Sequence, residues 1–143
     1  MTKEVEFLNY IYQNAKMGTD TLKQIVDISE DRTFRNELKS ELEEYENIVK
    51  EAIELFEKLE VKEKEISLFD KIETYVTINL KTIKDKSNQN IAEMLIIGSN
   101  MGIINSIKNI NKYKDCIEKE ILTLAEKLLD TEENNIKELK KYL

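Results

Sequence analysis

Apolar side chains recur every three or four positions along most of this chain, the spacing that gathers them on one face of an α-helix. Val5, Leu8, Ile11, Tyr12, Ala15, Thr19, Leu22 and Val26 form such a stripe and predict a first helix. Residues 27–31 interrupt it, and Ser29 and Asp31 carry side-chain oxygens suited to accept the free amides at the start of a second helix. The second stripe is Phe34, Leu38, Glu41/Leu42, Tyr45, Ile48/Val49, Ala52, Leu55/Phe56 and Leu59. It predicts a helix of about 42 Å at 1.5 Å per residue, returning antiparallel after a short turn.

Residues 60–65 are polar and aperiodic, and Ser67 with Asp70 resembles a capping box opening a shorter helix at Leu68. That helix would use Leu68/Phe69, Ile72, Tyr75/Val76, Asn79/Leu80 and Ile83, and Ser87 and Asn88 are the candidate caps of the next one. An unbroken helix over 68–110 would be about 64 Å long, too long for a bundle of about 40 Å. A break near 85–89 is therefore expected, with a single kinked helix over 68–110 as the alternative. The fourth stripe runs from Ile91 to Ile110, residues 109–112 are the expected turn, and Ile117, Ile121, Leu124/Ala125, Leu128, Glu132, Ile136 and Leu139 predict a last helix. Two hairpins joined by a long connection leave the second and third long helices parallel. The expected fold of residues 1–143 is thus one all-α domain, a four-helix bundle with a helical crossover between its second and third long helices.

Composition narrows the chemistry. Histidine and proline are absent and there are three glycines, consistent with helices throughout and with no imidazole for acid–base catalysis or metal ligation. Acidic residues outnumber basic ones 29 to 22, a formal charge of -7, so strong binding to a nucleic acid backbone is not expected. The lone Cys116 has no partner for an internal disulfide. With no secretory pattern at its start, the chain is expected to be cytoplasmic. The most apolar stretch, AEMLIIGSNMGII over 92–104, falls short of the roughly 20 residues needed to span a bilayer, so membrane insertion is not expected.

The two-hairpin plan, with FRNELKSELEEYENIVKEAIELFEKL and EILTLAEKLLDTEENNIKEL on its long helices, resembles the ferritin-like superfamily, in particular small uncharacterised bundles of low-GC spore-forming bacteria. In metal-binding members the resemblance implies a Glu on each of two helices and a Glu-x-x-His on the other two. The nearest segments here read Glu41-Leu42-Glu43-Glu44, Glu44-Tyr45-Glu46-Asn47 and Glu132-Glu133-Asn134-Asn135, without histidine. A carboxylate-only centre at Glu41, Glu93 and Glu132 is the remaining metal candidate, for Mn, Mg, Ca or Fe, with Asn14 and Asn135 as further oxygen donors. Glu41 and Glu132 fall on the apolar stripes, yet a Glu there commonly lays its stem over the core and keeps its charge in water.

The segment 94–105, MLIIGSNMGIIN, is apolar over more than one face. Burial on two sides is expected, beneath the crossover, with Gly98 and Gly102 allowing close approach, at a subunit interface, or around an apolar ligand in a groove. A non-enzymatic structural or protein-interaction bundle without resident cofactor, homo-oligomeric and most simply dimeric, is the leading expectation. The alternatives are a carboxylate-bridged metal or oxidoreductase-like protein and a groove that receives an amphipathic partner helix.

Overall fold

The computed structural model describes residues 2–67 and 83–143. They are helical, with α1 at Lys3–Ile28, α2 at Arg32–Lys58, α3 at Glu63–Ile66, α4 at Asn88–Tyr113 and α5 at Lys119–Leu139, followed by a 3-10 turn over Lys140–Tyr142. No strand occurs among the described residues. The expected crossover helix from Leu68, with its Ser67–Asp70 capping box, lies largely outside them.

The starts of α1, α2 and α4 follow short polar side chains. Thr2 Oγ1 accepts from the Val5 amide at 3.2 Å, Asp31 Oδ1 from Phe34 at 2.8 Å, and Ser87 Oγ from Asn90 at 3.2 Å. Ser29, the other expected cap, is instead buried in the turn. Its hydroxyl donates to the Ile25 carbonyl at 2.8 Å, and the Arg35 guanidinium donates to its carbonyl at 2.6 Å. The end of α2 closes with Val61 N donating to Phe56 O at 2.9 Å and Glu60 N to Glu57 O at 3.0 Å. This paired closure places Glu60 at φ 61°, a left-handed position that glycine usually takes.

Two expectations are corrected. The turn foreseen at 109–112 is absent, because α4 continues to Tyr113. The extra turn buries Tyr113, which stacks on Phe7 at 5.0 Å and donates its hydroxyl to Glu6 at 3.3 Å. The chain then turns through residues 114–118. A single kinked helix over 68–110 is also ruled out, since residues 83–87 are not helical and α4 starts afresh at the Ser87 cap.

Paired contacts fix the helix directions. Lys58–Glu120, Glu51–Lys127 and Tyr45–Glu132 join α2 to α5 with numbers that fall in one as they rise in the other. Glu6–Tyr113 and Tyr10–Ser106 do the same for α1 and α4. Since α1 and α2 form a hairpin, α2 and α4 run in the same direction. One end of the array is closed by Phe34 against Tyr142, the other by Phe7 against Tyr113 and Tyr12 against Phe56. Between them Leu8, Ile11, Leu38, Ile48, Ile91, Leu128 and Leu139 belong to one apolar cluster drawn from all four long helices.

Candidate functional site

The apolar core is broken midway by polar side chains that face inward. Glu132 on α5 is 3% exposed. Its Oε1 accepts from Asn14 Nδ2 of α1 at 3.0 Å, and its Oε2 accepts from the Tyr45 hydroxyl of α2 at 3.4 Å. From α4, Gly102 presents bare backbone to this carboxyl: a Cβ there would overlap Glu132 Oε2. The Tyr10 hydroxyl lies 3.4 Å from Ser106 Oγ and donates to the Gly102 carbonyl at 3.5 Å. A second close approach seats the Tyr45 ring over Gly18, where a Cβ would lie 2.9 Å from two ring carbons.

Burial governs the electrostatics of this layer. It pushes the Glu132 carboxyl up to about 8, against the opposing pull of its Asn14 and Tyr45 hydrogen bonds, so the group is mostly neutral at pH 7. Tyr10 is raised to about 12, chiefly by burial. Tyr45 is raised as well, by burial and then by the nearby Glu132 and Glu41 carboxyls, and keeps its proton. Glu41, one helical turn before Tyr45, is 4% exposed and its Oε2 has no hydrogen-bond partner. Burial comes first in raising it to about 9, and the Glu37, Glu44 and Glu138 carboxylates add to the effect. The Asn135 amide, with its nitrogen turned toward acceptors, donates to Glu44 Oε2 and Thr131 O, each at 3.2 Å.

The three candidate metal ligands do not converge. Glu41 and Glu132 are interior, whereas Glu93 is exposed on α4. Both Glu132 oxygens are engaged by Asn14 and Tyr45. Among the described residues no group of three or more Cys, Asp or Glu side chains is arranged to hold a metal ion. The donor set required for Mn, Mg, Ca or Fe is thus not assembled by Glu41, Glu93 and Glu132. Asn14, weighed from sequence as an oxygen donor to metal, is instead an amide donor to Glu132.

Surface clefts between α2 and α5 and between α1 and α2 are lined mainly by Lys and Glu, without a convergent catalytic group. Cys116 is exposed beyond α4. No helix among the described residues is long and apolar enough to cross a membrane.

The other unusual region is the opposite face of α4. Ile91, Ala92, Gly102, Ser106 and Tyr113 define its buried side. Ile97 and Ile104, about half a turn of the helical wheel away, are 43% and 46% exposed, and Ile107 beside them is 42% exposed. With Leu143, these are the large apolar residues left most exposed among the described ones. Of the two sides expected to be covered, one packs in the core, and on the other Ile97, Ile104 and Ile107 are exposed in the single chain. Gly98, expected to sit in a close helix contact, is exposed and has nothing within 4 Å of the place its Cβ would occupy. The two glycines of this helix therefore do different things, and their letters alone do not distinguish them.

No protein family, curated protein or solved structure matches this chain.

Proposed function

We propose that the protein is a ferritin-like four-helix bundle that works by binding protein through the outer face of α4 rather than by catalysis. Its plan is supported by the parallel direction of α2 and α4 between two hairpins, a direction that calls for a crossover. The observation that carries the functional reading is the row Ile97, Ile104 and Ile107 standing in water on a helix whose other side already fills the core. Covering such a face is favourable in proportion to the apolar area removed from water. The inward carboxyl of Glu132 is satisfied by Asn14 and Tyr45 and serves the core rather than a substrate. The same reading takes the protein as cytoplasmic and homo-oligomeric.

A photo-reactive residue at position 104, compared with one at the exposed Lys39 of α2, tests the surface in the cell. The expected result is a crosslink to a polypeptide from 104 at a yield well above that from 39. Equal yields from both positions would contradict it. Native mass spectrometry of unchelated protein should give bare polypeptide masses; an excess of one or two metal ions per chain would shift the function to a carboxylate site.

A further inference from the structure

The outer face of α4 carries charges that complement its own sequence read backwards. Glu93 and Lys108 are both exposed, fifteen residues apart and so about 22 Å along the axis, with Ile97 and Ile104 between them. Consider two copies of α4 laid antiparallel about a two-fold axis between Asn100 and Met101. Ile97 then faces the second copy's Ile104, and Ile104 its Ile97. Glu93 meets Lys108 at each end of this apolar centre, and Asn90 meets Asn111. A parallel pairing keeps the isoleucines together but sets Glu93 against Glu93 and Lys108 against Lys108. Charge thus selects the antiparallel arrangement, while the isoleucines supply the area to be buried.

We propose that the occupant of this face is a second copy of the chain, docked α4 against α4 in the antiparallel register that pairs Glu93 with Lys108 and Ile97 with Ile104. The inference rests on the reading of α4 as an interaction surface and deepens it by naming the partner. The interface is isologous and closes on itself, so assembly stops at the dimer.

Sedimentation velocity of the full chain across a concentration series at physiological salt tests it. Wild-type protein should form a dimer. Glu93→Lys and Lys108→Glu should each weaken it about tenfold, since each places like charges at both ends of the centre. The double variant, and an equimolar mixture of the two single variants, should regain wild-type affinity. Ile104→Asp should abolish the dimer with an unchanged helical circular dichroism spectrum. A wild-type monomer at about 100 µM, or a dimer indifferent to both charge reversals, overturns the self-pairing. The crosslink from position 104 separates the two readings. A product with another polypeptide, or one within the chain to residues 68–82, overturns self-pairing. The former leaves the interaction surface standing, whereas the latter removes both.

Discussion

The layer around Glu132 and the outer face of α4 lie on opposite sides of the same helix, and each reverses the usual placement of polar and apolar groups. Inside, a carboxyl is buried; outside, three isoleucines are exposed. At Glu132 the interior reversal is resolved within the chain. Asn14 and Tyr45 hydrogen-bond Glu132, burial keeps it largely protonated near neutrality, and Gly102 clears the space it needs. The exterior reversal has no comparable resolution among the described residues. A buried carboxyl that its neighbours hydrogen-bond is part of the architecture, whereas an apolar row left exposed at the surface points toward a partner.

The largest expected effect concerns protonation of the interior layer. Glu132 and Glu41 have folded-state values near 8 and 9, above their ordinary 4.5. The stability they lend is fully present below about pH 4.5 and is lost as pH rises through about 8 and 9 respectively. For one such group the slope is about 1.4 kcal/mol per pH unit. Glu132→Gln, which keeps the shape and an acceptor for Asn14, removes one of these titrations. Urea unfolding at a series of pH values should show the variant gaining on wild type between pH 5 and 8, by several kcal/mol at the upper end. A constant difference across that range would mean that Glu132 is not held neutral inside.

The two α4 glycines sharpen the contrast. Gly102→Ala must displace a carboxyl fixed by two hydrogen bonds and should cost about 1–3 kcal/mol in denaturant unfolding. Gly98→Ala meets open space and should raise stability by up to about 1 kcal/mol through helix propensity. Equal effects at the two positions would erase the distinction between the faces. The smallest effect belongs to Ile104→Asp, expected within about 0.5 kcal/mol of wild-type unfolding stability when both are measured as monomers, because the side chain it replaces contributes little to the core.

Much of this was legible in the letters. The inward direction of Glu41 and Glu132 follows from their spacing to Leu38, Tyr45, Leu128 and Ile136, and the Asp31 and Ser87 caps were readable from residue type and position. The stripe of α1 was read slightly off centre: Phe7, Asn14 and Ile25 are buried, while Val5 and Val26 are only half-buried. A 3.6-residue period leaves flanking positions ambiguous until neighbouring helices are in place. The helical place of Tyr113 is hidden in the sequence because Asn109, Asn111 and Lys112 are polar and turn-like, while the contacts that hold it come from α1, more than a hundred positions away. Spacing also placed Glu41 and Glu132 on inward faces without saying at what height each meets the other helices, or that Glu93 points outward. A ligand set is a property of such cross-sections, and periodicity along one helix does not contain it.

The division of labour between the two faces is tested most directly by sedimentation velocity on Glu132→Gln and Ile104→Asp side by side at pH 7. The account predicts that Glu132→Gln associates as wild type does and that Ile104→Asp is monomeric while equally well folded. Loss of association in Glu132→Gln, with Ile104→Asp unaffected, would contradict it and move the working site into the core.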